Sequence, residues 1–113
     1  MKEIKAYVHQ HRAADVIEAI KATQAWTAHA GAAEQHHLSV TQVQGTLRPV
    51  DQSERHYSVD LGLEVVREFR IELHCDDDCV DELVAAIVSA ARTGQQLAGW
   101  VYVSDVAAAH PIR

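Results

Sequence analysis

The sequence predicts a single α+β domain over residues 1–113, with two helices on one face of a four-stranded antiparallel sheet. Two observations indicate this fold. Segments that alternate apolar and polar residues, as half-buried strands do, are separated by segments with apolar residues at helical spacing. The order strand, helix, strand then occurs twice within 113 residues. Two such halves in one domain predict the ferredoxin-like arrangement βαββαβ.

The first half begins with a strand over residues 1–9, where apolar and polar side chains alternate. Apolar residues at helical spacing over 13–20, with charges on the opposite side, predict an amphipathic helix. Residues 38–47 are rich in β-branched side chains and predict the second strand. This strand reaches Gly45 and then Pro49, so we expect the chain to turn there.

The second half repeats this order. Residues 65–75 alternate as a strand does, imperfectly at positions 67 and 68, so the start of the strand is open. Asp78 is the predicted N-cap of the second helix, and the cationic Arg92 followed by Gly94 predicts its end. Residues 100–106 are the last predicted strand.

The sheet face away from the helices carries large side chains in this arrangement. Tyr7 and Tyr102 fall on that face, together with β-branched residues. An uncovered apolar face of this size is typical of a subunit interface, and identical subunits close most simply into a ring. The sequence therefore predicts a cyclic homo-oligomer.

Charge and hydropathy exclude several classes of protein. Sixteen acidic and ten basic residues give a net charge of −6, which disfavours binding to nucleic acid or to an anionic membrane. The longest nearly apolar run, residues 83–91, is far shorter than the roughly 20 residues of a membrane span. Residues 1–5 show no secretory signal, so we expect no membrane insertion and a cytoplasmic location.

The sequence resembles the PII signal-transduction superfamily. The resemblance covers most of the chain except residues 25–37 and 48–66. It lies in the segments MKEIKA (1–6), DVIEAI (15–20), VTQVQG (40–45), the stretch from IEL (71–73) to DVA (105–107), and most specifically AARTG (90–94), Gly99 and VYVSDV (101–106).

This resemblance implies a homotrimer that binds an adenine nucleotide between subunits and controls a target protein through a T-loop, here approximately residues 46–60. Glycines in the phosphate-facing loops make physical sense, because they let the backbone approach a phosphate closely. By position, the implied nucleotide-binding residues are Gly45, Thr46, Leu47, Arg48, Gly94, Gly99, Trp100 and Arg113. Gly-rich segments also serve as simple turns, so that alternative stays open.

Several positions depart from the family pattern. Trp100 stands where the family has a phosphate-binding lysine, and Ala108 and Pro111 replace arginines. Fewer cations predict ADP or AMP as ligand over ATP, or a nucleotide held with help from another anion. The T-loop is short, and Gln52 occupies the position of the uridylylated tyrosine, so the chain resembles the divergent PII-like branch. That branch implies a transporter, an efflux system or a carbon-metabolism component as target, with bicarbonate as a co-ligand.

Two further groups of residues are candidate sites. Arg55 and His56 could bind a small anion such as bicarbonate, or simply be solvated. His9 and His11, two residues apart at a strand end, are expected to face one side and to suit a divalent metal. No cysteine or carboxylate stands at a firm ligand spacing, so solvated surface histidines, including His36 and His37, are the alternative.

The histidine pair supports an alternative function, a trimeric metal-binding protein similar to the copper-tolerance CutA family or linked to heavy-metal efflux. An enzyme is not expected, because no nucleophile, base and orienting acid can be assembled. Cys75 and Cys79 are predicted to be reduced thiols, with Cys79 packed and inert rather than activated.

Overall fold

A computed structural model describes residues 1–28 and 38–113. The elements are the strands β1 (Lys2–His9), β2 (Ser39–Gly45), β3 (Arg55–Ser58), β4 (Leu63–Cys75) and β5 (Trp100–Asp105), and the helices α1 (Ala13–Lys21), α2 (Gln24–Ala28) and α3 (Val80–Ala90). The strand order is β2-β4-β1-β5, with antiparallel pairing throughout. This is the predicted ferredoxin-like topology, with one strand more than predicted.

The additional strand, β3, pairs with the first part of β4. β4 is 13 residues long, and β1 covers it only from Glu68 onward, so residues 63–66 would otherwise lack a partner on that side. Val66 pairs with Gly45 of β2 and also with Arg55 of β3. Strand β3 therefore continues the sheet on the same side of β4 as β1, and part of the predicted T-loop is a strand.

The core lies between the sheet and the two longer helices. Alternation in β1 buries Ile4, Ala6 and Val8 on the helix side, as predicted. Helix α1 buries Val16 and Ile20, and α3 buries Leu83 and Ile87 against the same layer. From the sequence, residues 25–37 could extend the first helix or form an exposed flap. The separate helix α2 covers their beginning, and residues 29–37, with His36 and His37, lie outside the described residues.

Both predicted boundaries of the second helix are wrong in detail. A 3-10 turn, Asp77–Cys79, precedes α3. The N-cap residue of α3 is Cys79, whose side chain makes no capping hydrogen bond. Asp78 lies inside that turn and so cannot cap the helix. At the other end, the cation that serves α3 is Arg12, whose guanidinium donates to the carbonyl of Ala90 at 2.9 and 2.6 Å. It thereby joins α3 to the start of α1.

The sheet face away from the helices is exposed in the single chain. Tyr102 is 53% and Trp100 51% exposed, and their rings stack at a centroid distance of 6.2 Å. Tyr7 meets Tyr102 edge-on at 6.1 Å. Rings of this size on an open face need a cover, which the predicted oligomer would supply. Within the described residues, none of the helices is long and apolar enough to cross a bilayer.

Candidate functional site

The segment that follows β2 is held by a buried carboxylate. Glu68 is only 3% exposed, and its Oε2 accepts the backbone N–H of Leu47 at 2.9 Å. A Cβ at Gly45 would overlap this carboxylate, so any larger residue there would force the Glu68 side chain to move. Burial raises the pKa of Glu68, although the Leu47 N–H and the charge of His9 act in the opposite direction.

The loop that follows α3 contains two glycines with different physical roles. Gly94 has a φ of +89°, a backbone conformation that residues with a side chain rarely adopt. Gly99 has no such φ, but a Cβ on it would overlap the carbonyl oxygen of Tyr7 in β1. The first glycine therefore permits a turn, and the second lets the loop pack directly on the sheet.

These two segments meet at one cavity of about 510 Å³, which we call the inter-loop cavity. Its lining residues are Thr46, Leu47, Arg48, Gln95, Gln96, Leu97 and Trp100. The side-chain amide of Gln95 donates to the carbonyl of Arg48 at 3.0 Å and to that of Pro49 at 3.3 Å. Four of the predicted nucleotide-binding residues thus line one cavity, and a side chain joins its two walls.

The other four predicted residues lie at different distances from this cavity. Gly45 lines an adjoining hollow together with Thr46, Leu47 and Arg48. Gly94 and Gly99 lie with Trp100 on a second cavity of about 520 Å³ against α3 and β1. Arg113 is exposed at the chain end and lines neither cavity.

Sequence reasoning missed Glu68 and Gln95. The signal for Glu68 was the imperfect alternation at positions 67 and 68, because a charged residue had to face inward somewhere in that strand. Gln95 stands between Gly94 and Gly99, and the prediction for this loop considered only the backbone of the two glycines. Its role depends on the carbonyls of a segment almost fifty residues away, and no local pattern encodes that contact.

Arg55 and His56 open β3 and border a cavity of about 730 Å³. His11 and Arg67 also line this cavity, as do the carboxylates Asp51 and Glu54. The Nη1 of Arg55 lies 3.5 Å from a carboxylate oxygen of Glu64, and both side chains are largely exposed. An exposed pair of this kind is weak and can exchange Glu64 for another anion.

The histidine pair gains a carboxylate that was not expected from the sequence. The Nδ1 of His9 lies 2.8 Å from Oε2 of Glu54, and the Nδ1 of His11 lies 3.8 Å from the same oxygen. His9 is fully buried, so it is not a solvated surface histidine. His11 lies in the 3-10 turn Gln10–Arg12, so the expected pairing along a strand is wrong. Both histidines meet Glu54 because the pairing of β3 with β4 places Glu54, the residue before β3, beside the end of β1.

The two cysteines are free thiols. Burial raises the pKa of Cys75 to about 11, and neighbouring Cys79, Asp76 and Asp77 act in the same direction. Burial and the adjacent Asp78 also raise the pKa of Cys79, so its position before α3 does not activate it. Both thiols are protonated at neutral pH, which agrees with the prediction of an inert Cys79.

Comparison with known proteins gives consistent results. The chain is 32% identical to nitrogen regulatory protein P-II of Cereibacter sphaeroides over 113 residues, which is 100% of this chain and 92% of that protein. It is 30% identical to nitrogen regulatory protein P-II 2 of Methanothermobacter thermautotrophicus over 106 residues, 94% of this chain and 84% of that protein.

A shorter match exists to a cyanobacterial protein. Nitrogen regulatory protein P-II of Nostoc punctiforme is 33% identical over 69 residues, which are 61% of this chain. The chain therefore spans about 62% of the length of that relative. No family model matches the sequence.

Proposed function

Because the chain belongs to the P-II family of regulatory proteins, we propose that it senses an adenine nucleotide at clefts between the subunits of a homotrimer. The nucleotide would control a target protein through residues 46–60. One observation carries this proposal: the inter-loop cavity is bounded by both segments that the family resemblance assigns to the nucleotide, and Gln95 ties them together.

The charges around the cavity support ADP or AMP as the ligand. Among the described residues that line it, Arg48 is the only cation, and Trp100 offers a ring rather than a charge. A third phosphate gains most from additional charge-assisted hydrogen bonds, which this set of side chains lacks. The ring of Trp100 is half exposed and can contact the ligand or a neighbouring subunit.

The regulatory step follows from how residues 46–54 are held. The N–H of Leu47 is bound by Glu68, the carbonyls of Arg48 and Pro49 by Gln95, and the N–H of Val50 by Glu54. A nucleotide that enters the inter-loop cavity contacts the start of this segment, Thr46 to Arg48. It shifts the segment between states only to the extent that it binds one state better than the other.

The trimer and the co-ligand are further parts of the proposal. Burial of Tyr7, Trp100 and Tyr102 against neighbouring subunits would cover the open sheet face. Bicarbonate would bind near Arg55 and His56, in the cavity beside the nucleotide-binding segment. The target would be a transporter, an efflux system or a component of carbon metabolism in the cytoplasm.

Isothermal titration with AMP, ADP, ATP and cyclic AMP, with and without bicarbonate, tests the proposal. We expect AMP or ADP to bind more tightly than ATP. Gln95→Ala removes the hydrogen bonds from the Gln95 amide to the carbonyls of Arg48 and Pro49, so it should weaken that binding by about tenfold, or about 1.4 kcal/mol. Gln44→Ala, at an exposed position of β2, is the matched control and should bind as the unaltered chain does. Absence of nucleotide binding below millimolar concentration under all these conditions would refute the proposal.

The alternative function is a metal-binding trimer similar to the CutA family. The group formed by His9, His11 and Glu54 favours it specifically, because these residues offer ligand atoms within 4.8 Å of one another. Binding of copper or zinc without any binding of nucleotides would favour this metal-binding function over nucleotide sensing. The same group is compatible with a nucleotide sensor if the metal is a second ligand.

A further inference from the structure

We propose that the chain binds one Zn²⁺-like transition-metal ion between His9, His11 and Glu54. This goes beyond nucleotide sensing, because the group lies apart from the inter-loop cavity and shares none of its lining residues. Two imidazole nitrogens and one carboxylate oxygen form a donor set that suits Zn²⁺. Mg²⁺ and Ca²⁺ take oxygen ligands instead, so the donor set disfavours them.

The distances from Glu54 to both histidines fit such an ion after small movements, and the ligand atoms of the two histidines lie within 4.8 Å of each other. Zinc bonds of about 2.0–2.1 Å in a tetrahedron place ligand atoms roughly 3.3 Å apart. Oε2 of Glu54 lies 2.8 Å from Nδ1 of His9 and 3.8 Å from Nδ1 of His11, so each separation differs from that spacing by about 0.5 Å. His11 is half exposed and can rotate, whereas His9 is fixed by burial.

The second nitrogen of His9 has a different role with and without a metal on the first one. Nε2 of His9 is buried and has no hydrogen-bond partner among the described residues. Without metal, a proton on Nδ1 is donated to Glu54, and Nε2 is then a buried acceptor without a hydrogen-bond donor. A metal on Nδ1 would place the proton on Nε2 instead; Glu68 pairs with His9 in the β1–β4 ladder, and no hydrogen bond joins Nε2 to its carboxylate among the described residues.

Three protein ligands leave one coordination position open. His11 and Glu54 both border the cavity of about 730 Å³, so this position can be filled from solvent. Closed structural zinc sites use four protein ligands, whereas sites with three keep water or another exchangeable ligand. The inferred site therefore keeps one position on the ion accessible to water or another exchangeable ligand.

Metal binding at this site would act on residues 50–54. Glu54 uses one carboxylate oxygen for the two histidines and the other for the backbone N–H of Val50. An ion that fixes Glu54 to the end of β1 thereby also fixes the chain between Val50 and Glu54. The segment next to the nucleotide-binding residues would become harder to open while the ion is bound.

Titration with ZnCl₂ at pH 7.5, followed by calorimetry, tests the site. His29, His36 and His37 are replaced by asparagine in every sample, so that these other histidines cannot contribute. We expect one ion per chain, and at least about a tenfold loss of affinity in Glu54→Gln and in His11→Asn. Glu18→Gln and His110→Asn, at exposed positions elsewhere, are the matched controls and should bind as their parent does.

Amide hydrogen exchange provides the second readout. Zinc should slow exchange at residues 50–54 in the parent and leave the rate unchanged in Glu54→Gln. Absence of zinc binding in the parent, or equal affinity in both ligand variants and their controls, would overturn the inference. Nucleotide titration of the same samples is a separate measurement, so either idea can fail while the other stands.

Discussion

Glu68 gives the sharpest test of how the 46–54 segment is held. Its carboxylate is buried, accepts the N–H of Leu47 at 2.9 Å, and occupies the space that Gly45 leaves open. Glu68→Ala removes the acceptor and leaves that N–H without its partner. We expect a loss of about 1–3 kcal/mol in the free energy of unfolding, the usual effect of an unsatisfied buried group.

Glu68→Gln separates the hydrogen bond from the charge. The amide oxygen of glutamine can still accept the Leu47 N–H, but glutamine carries no charge to bury. Because burial raises the pKa of Glu68 in the folded chain, the folded state binds the proton more tightly than the unfolded state does. The stability contributed by Glu68 is thus fully present below the unfolded pKa of about 4.3 and is lost as the pH rises through the raised folded pKa.

Urea unfolding of the three proteins between pH 4.5 and 7.5, at one fixed protomer concentration, measures both effects. At pH 7.5 we expect Glu68→Gln to be at least as stable as the unaltered chain, and the difference to shrink toward pH 4.5. Suppose instead that Glu68→Gln is the less stable protein at pH 7.5 and recovers in acid. The charge of Glu68 would then be favourable, as a close pair with His9 would make it, and our account of its burial would be refuted.

Three further predictions concern other parts of the molecule. Gly99→Ala should lower the free energy of unfolding by about 1–3 kcal/mol in a urea titration, since its Cβ overlaps the Tyr7 carbonyl, and no loss would show that the loop can move away. Cys75 should resist a thiol reagent at pH 8 in the folded chain, because burial raises its pKa to about 11; rapid labelling in the folded state would contradict this. Tyr102→Arg should convert the proposed trimer to monomers in light scattering, whereas Ser89→Arg, on the exposed side of α3, should not. A trimer that persists in Tyr102→Arg would place the interface elsewhere.

The course of the main chain could be predicted from the sequence because it rests on periodic burial. Alternation in residues 1–9 and helical spacing in 13–20 report which side of each element meets the core, and the structure confirms both. Strand β3 was not predicted because it has no alternation of apolar and polar residues. Its first two residues, Arg55 and His56, are both polar and both exposed. Its pairing depends on the length of β4, which is a property of the sheet as a whole.

The candidate sites were predictable only where one segment carries the signal. Thr46, Leu47 and Arg48 follow a strand and a glycine, and they do line a cavity. Glu54 could not be connected with His9, because the two residues are 45 positions apart and meet only through β3. Contacts made across the sheet by single polar side chains leave no periodic trace in a sequence.

Strand β3 has a consequence for recognition of a target protein. A long free loop loses much conformational entropy when a partner orders it, and that loss is subtracted from the affinity. Here residues 55–58 are already paired with β4, and residues 47–54 are tied down at several backbone groups. A target would therefore meet a preorganised surface and could bind tightly through a small contact area, at the expense of the variety of shapes that a free loop can offer to different partners.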